Sequence, residues 1–296
     1  MDGGVAAAIA AAMLYNLAVV VQKTQAEQVE ASGVAILGAL WRRPIWLLGI
    51  AIQTLGFGLH SFALTQAPVT VVQPIIAAGI AFVAIFAALV LGERPGSREI
   101  LGMVMAMVGM SVLVIGFEAP PTMKEVAGSD LSLALTGAAA LIAGLLYFAG
   151  ADCIRSAGLR AALIGGAAGL GQGMSDAMNR LAGAWLSPGQ GWTPPQDMGL
   201  VAVACLVAFG FQGFVSAQNA LRQYRANTVV PCMSTTQLLV PLVMAAALYG
   251  QSAPEGSQEL ALWAAAVALT LGGVATLASS AQVAGSFGQA GPSAGP

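Results

Sequence analysis

The chain reads as an all-α polytopic membrane protein with nine transmembrane helices, ten if one short apolar segment also crosses, built around an inverted repeat of helix triplets. Three observations predict this. Of 296 residues, 57% are apolar and only 8% are charged, where a soluble domain carries about 25% charged residues; mean hydropathy is +0.81. The apolar residues run in stretches of about 20, the length a helix needs to cross a bilayer. Lys and Arg fall almost wholly in alternate connections. This composition excludes an ordinary soluble enzyme and a disordered chain, and a net charge of −2 leaves no basic field for nucleic acid.

The first span is 4–22. No basic n-region precedes it and no cleavage site follows it before Gln22-Lys23, so it reads as a membrane helix rather than a signal peptide. Segment 31–41 is apolar but too short to cross unaided, and reads as a half-helix or interfacial segment. Spans 44–64, 70–91 and 100–117 complete an N-terminal half, 1–117. A C-terminal half, 131–279, holds five spans: 131–149, 161–186, 199–217, 228–250 and 260–279. The Gly/Ala/Ser/Pro-rich tail 280–296 reads as disordered.

Sidedness follows from the charges. Lys23, Arg42, Arg43, Arg94, Arg98, Arg155, Arg160, Arg222 and Arg225 occupy one set of loops; the other set holds only Lys124. The basic set belongs in the cytoplasm. With nine spans the N-terminus is outside and the C-terminus inside, in a cell inner (plasma) membrane. Acids favour the outer side, where they read chiefly as solvated loop charges.

A repeat links the halves. Ala63-Leu64-Thr65-Gln66 leading to Thr70-Val71-Val72 matches Ala220-Leu221-Arg222-Gln223 leading to Thr228-Val229-Val230, and Gly92 and Gly250 close the two apolar runs that follow. Spans two to four thus resemble spans seven to nine, and because span two is an even crossing and span seven an odd one, the two triplets are opposite in orientation. Inverted repeats of this kind build secondary transporters with a site near the midplane, where broken helices are the best sequence pointer. Gln73-Pro74 and Gly79 predict a break in the third span; Pro231, the polar run 234–237 and Pro241 predict one in the eighth.

Candidate site residues come from polar groups on span faces. Asp176 is the one acid deep in a span. A charge there costs about 2.5–3.5 kcal/mol on insertion scales, so it must face protein or water. Gln172, Asp176, Asn179 and Arg180 share a face, next to a stripe of Gly165, Gly169, Gly173 and Ala177 that invites a close neighbour. Two readings of Asp176 stand side by side: a polar lining for substrate or a coupling proton, and a structural pair with Arg180. Gln53 in the second span and Gln212, Ser216 and Asn219 in the seventh form amide rows on repeat-related helices. With Gln73, Ser234 and Gln237 beside the predicted breaks, the substrate-binding set is Gln53, Gln73, Asp176, Gln212, Asn219, Ser234 and Gln237. His60 lies near the outer end of its span and reads as an interfacial histidine.

The stretch from Gln66-Ala67-Pro68-Val69 through Thr70-Val71-Val72-Gln73-Pro74, the turn Leu91-Gly92-Glu93-Arg94, then Gly102 and Val108-Gly109 resembles the EamA-like group of the drug/metabolite transporter superfamily. The nine-span count, Trp46-Leu47-Leu48-Gly49, residues 67–72 and Asn219-Ala220-Leu221 followed by Thr228-Val229-Val230-Pro231 resemble its NIPA-type magnesium-transporter branch. The resemblance implies a transporter. From the residues, the expected function is secondary transport of a small polar or amphipathic solute by alternating access; the NIPA likeness implies the alternative, a magnesium or divalent-cation permease with Asp176 as its one deep carboxylate. A non-transporting membrane scaffold is the third reading. Enzyme readings fail: there is one histidine, no G-x-x-x-x-G-K-[ST], and three cysteines in no paired spacing. No cofactor is expected. The expected partners are a small-molecule or cation substrate, the lipid bilayer and, among proteins, a second copy forming a homodimer.

Overall fold

The computed structural model describes residues 2–67, 69–115, 142, 144, 156–186, 196–249 and 256–279. Their regular elements are helices, with no strand among the described residues. Helix α1 is Asp2–Ala26, α2 Ala35–Leu40, α3 Pro44–Gln66, α4 Val69–Ala78 and α5 Ile80–Phe86, the last continuing into a π-helical turn Ala87–Leu91. Then come α6 Ser97–Ile115, α7 Ala157–Leu186, α8 Gln196–Gln223, α9 Ala226–Tyr249 and α10 Ser257–Ala278. By length and composition, five stretches among the described residues can cross a membrane: Gly3–Ala26, Pro44–Ala63, Pro74–Leu91, Gly199–Gln223 and Ser257–Ala278. Helices α6, α7 and α9 occupy three further expected spans. The expected span 131–149 and the tail 280–296 lie outside the described residues, except that Ile142 and Gly144 are helical.

Segment 31–41 forms only the six-residue α2. At 1.5 Å per residue that is about 9 Å, against a hydrocarbon core of about 30 Å. It folds under the bundle instead, burying Ile36 and Leu40 against Val29 and Trp46. The third expected span does break: Gly79 ends α4 with a tight Gly79 N–H to Ile76 C=O bond before α5 begins, and Pro74 removes one rung inside α4. The left-handed Gly92 (φ 69°) stops the helix, as glycine does where a side chain would clash. The eighth span does not break. Helix α9 runs unbroken from Ala226 to Tyr249 through Pro231 and Pro241. Its continuity follows from packing: Gly165, Gly169 and Gly173 of α7 lie so close to the α9 backbone that Cβ atoms there would fall 3.1, 2.1 and 2.8 Å from the carbonyl oxygens of Val229, Met233 and Gln237.

Helix α1 packs along α3 and against α4–α5; α7 packs along α8 and α9; α6 and α10 pack on one another. The α6–α10 pair is antiparallel, since Gly102 meets Gly273 and Leu277 while Gly109 meets Thr270 and Ala266. Small residues let these backbones approach, which is how helices associate where lipid removes the hydrophobic drive. At one end of the bundle a core of Val20, Val83, Ala87, Ala161, Ile164, Leu221, Tyr224 and Val229 joins the C-terminal ends of α1, α5 and α8 to the N-terminal ends of α7 and α9. Helices α1 and α7 therefore run in opposite directions.

Candidate functional site between the helix sets

Helix α7 places Asp176 where α1 and α9 flank it. Gln237 Nε2 of α9 donates to Asp176 Oδ2 at 3.0 Å, and Tyr15 of α1 lies within electrostatic reach of the carboxylate. Asp176 is nonetheless exposed. Polar groups of α1 and α9 thus meet at the Asp176 carboxylate of α7. Ser234 is half-buried one turn before Gln237 on α9. Tyr15 also meets His60 of α3: the hydroxyl and Nδ1 are 3.4 Å apart, and the rings stand edge-to-face with centroids 6.0 Å apart. Of the predicted set, Asp176 and Gln237 are thus brought together. Gln73 lies in α4 with its side chain outside the described residues, as are the side chains of Asn179 and Arg180, so the Asp176–Arg180 pairing falls outside them too.

The other predicted amides face protein. Gln53 accepts from Gln22 Nε2 at 2.7 Å, Gln22 accepts from Gln218 Nε2 at 2.7 Å, and Gln218 accepts from the Trp46 indole N–H at 3.1 Å. This amide chain stitches α3 to α8 through α1. Gln22, four residues from the C-terminal end of α1, is 2% exposed. Gln212 donates to Ala167 C=O at 3.3 Å and to Ser216 Oγ at 2.9 Å, and its Oε1 is buried without a donor. Asn219 clamps Gly33, accepting its N–H at 2.9 Å and donating to its C=O at 3.1 Å. Gly33 has φ +61°, so the clamp fixes the turn before α2.

The sequence reading missed a second polar centre at the basic end. Lys23 and Glu99 are each 1% exposed. Lys23 Nζ donates to Glu27, to Leu221 C=O at 2.9 Å and to Tyr224 C=O at 2.6 Å, and lies 3.5 Å from Glu93. Arg225 holds Glu99 through Nη1 at 3.1 and 3.2 Å, donates to Arg94 C=O at 2.9 Å, and has Nε 3.8 Å from Glu93. Glu99 also accepts the Gly96 N–H at 2.9 Å, capping α6. Burial pushes the Glu93 carboxyl up from its ordinary range, and Lys23, the Ala226 N–H and Arg225 pull it back only in part. The signal available in sequence was that Glu27, Glu93 and Glu99 are acids stranded among the loops that hold nine of the eleven basic residues. Lys23, Arg43, Arg94, Arg222 and Arg225 all make contacts at this end, so these basic loops share one face of the bundle. Among the described residues, no group of three or more His, Cys, Asp or Glu side chains is arranged to hold a metal ion.

No curated protein and no solved structure matches the chain. Residues 3–115, which span α1 to α6, match the EamA-like transporter family. The match covers the N-terminal part of the chain, and over that part a helical bundle with several helices long and apolar enough to cross a membrane is similar to this transporter family.

Proposed function

We propose that the protein is a secondary transporter that moves a small polar or amphipathic solute by alternating access, binding it in a crevice at Asp176 and Gln237. The observation that carries the reading is asymmetry. Asp176 is exposed, whereas the opposite, basic end holds buried charges and an apolar core. A carrier caught facing one side has this form. Asp176 and Gln237 supply a charge and an amide, groups whose loss on mispairing costs about 1–3 kcal/mol each and so give selectivity.

The inverted repeat supports alternating access, and it extends to α1 and α7. A Cβ on Gly56 of α3 would meet Ala11 C=O at 3.5 Å, and one on Gly213 of α8 would meet Ala168 C=O at 2.9 Å. Both glycines follow their partner carbonyls at the same spacing along the chain. The pairs α1–α3 and α7–α8 therefore use equivalent positions in opposite orientation, and α6 meets its counterpart α10 directly. Two halves with the same internal packing are the parts that rock against one another in transporters of this architecture. The chain is read as a multi-pass plasma-membrane protein with the basic end cytoplasmic.

Uptake into proteoliposomes by the purified protein, across a panel of amino acids, polyamines, nucleosides and Mg²⁺, tests the function. The reading expects uptake of an organic solute that falls in Asp176→Asn. Uptake of Mg²⁺ alone would favour the permease, and uptake of nothing would favour a scaffold.

A further inference from the structure

We propose that the Lys23–Glu93–Glu99–Arg225 network is the gate that shuts the basic end of the bundle against the crevice, and that the structure is the gate-shut conformation. This rests on the transporter reading. The network joins the two halves: Lys23 ends α1, Glu93 sits in the turn before α6 and Glu99 in its first turn, while Arg225 and the carbonyls of Leu221 and Tyr224 form the α8–α9 corner. Other bonds between the halves gather at the same end. They include Gln218 to Gln22, Asn219 to Gly33 and Arg222 to Glu30 C=O at 3.0 Å. Behind the charges lies the apolar core of Val20, Val83, Ile164 and Val229.

The gate is also built to come apart. Glu93 Oε2, Asn227 Oδ1 and Thr228 Oγ1 are buried at it without a hydrogen-bond donor. Three acids face two bases, Glu27, Glu93 and Glu99 against Lys23 and Arg225. Buried polar networks that are incompletely satisfied cost free energy that water would return on opening. Arg225 and Glu99 hold the gate through a pair of charge-assisted bonds, and the desolvated Glu93 works against it. A shut state that is held but not deep is what a carrier needs, since a change of a few kcal/mol must reverse the populations.

The test uses full-length protein with Cys153, Cys205 and Cys232 replaced by Ala and a reporter Val230→Cys, which is 2% exposed behind the gate. An impermeant maleimide is applied to the basic end in inside-out vesicles. Glu99→Gln and Arg225→Gln should each label the reporter at least about tenfold faster than the parent, Arg225→Lys less so because it keeps the charge and loses the fork. The exchange Glu99→Arg with Arg225→Glu should restore slow labelling, which distinguishes gating from misfolding. Unchanged labelling in folded Glu99→Gln and Arg225→Gln overturns the gate, as does fast labelling in every variant including the exchange. If labelling behaves as expected but the parent carries no solute, the transporter reading fails and the gate stands as a conformational lock.

Discussion

The replacement Gln218→Leu separates amides that hold the bundle from amides that do not. Gln218 is 1% exposed, and its side chain accepts from Trp46 and donates to Gln22, both about 2% exposed. Leucine fills nearly the same volume and strands two buried groups, the indole N–H and the Gln22 carbonyl oxygen. At about 1–3 kcal/mol for each stranded group the loss is about 2–6 kcal/mol. Hydrogen bonds measured inside membranes average about 0.6 kcal/mol, which sets a floor near 1 kcal/mol for the pair. A loss of about 3 kcal/mol, at roughly 2 °C per kcal/mol for a chain this long, lowers Tm by about 6 °C. Gln212→Leu, two turns earlier on the same helix, should shift Tm by no more than about 2 °C, because it removes the donorless Oε1 along with two bonds. Thermal unfolding in detergent, followed by circular dichroism at 222 nm, measures both. A larger loss in Gln212→Leu than in Gln218→Leu would refute the assignment of Gln218 to the stitching chain and of Gln212 to local packing.

Other perturbations probe packing, sidedness and the gate. Gly169→Ala sets a methyl 2.1 Å from Met233 C=O and should cost about 1–3 kcal/mol by overpacking, whereas Gly58→Ala, with open space around it, should be neutral in the same unfolding assay. Single cysteines at Ser97 and Ser257, which begin the antiparallel α6 and α10, should react from opposite sides of the membrane, Ser97→Cys only from the cytoplasm; reaction of both from one side contradicts the topology. Glu93 gives the gate a pH dependence. Lys23 and Arg225 face it, with Glu27 and Glu99 beyond them, and burial still raises its carboxyl, so the shut gate takes up a proton that the open one releases. Shutting is therefore favoured at low pH and weakened as pH rises above the usual Glu value of about 4.3. The labelling rate of Val230→Cys, divided by that of the same reporter carrying Glu93→Gln, should climb with pH; a flat ratio would remove Glu93 as the titrating group.

Helix positions were legible because apolar runs and their breakers act locally. Gly92 closed the third span where a left-handed residue was needed, and the stripe at Gly165, Gly169 and Gly173 announced the close approach of α9. Pro231 misled because proline's effect on a helix depends on neighbours that sequence does not display; with α7 seated on its backbone, α9 stays whole. The candidate site was legible only in part. Asp176 stood out through the cost of a lone membrane charge, and Gln237 through its place beside a predicted break, and the fold joins them. Gln53 and Asn219 satisfied the same polarity criterion, yet their partners are Gln22 and the backbone of Gly33, contacts that depend on the turn of each helix about its axis. The gate charges were hidden for a related reason. Lys23 and Arg225 lie some two hundred residues apart in a chain of 296, and loop charges next to spans usually end in water.

Counterflow tests the central claim most directly. Proteoliposomes are loaded with excess unlabelled solute, and entry of a trace of the same labelled solute is followed with time. A carrier whose Asp176–Gln237 crevice opens alternately to each side predicts transient accumulation of label above equilibrium, abolished in Asp176→Asn while that variant unfolds within about 2 °C of the parent. Entry of label that rises only to equilibrium, unaffected by solute inside, would mark an open pore, and counterflow undiminished in Asp176→Asn would place the binding site away from this crevice.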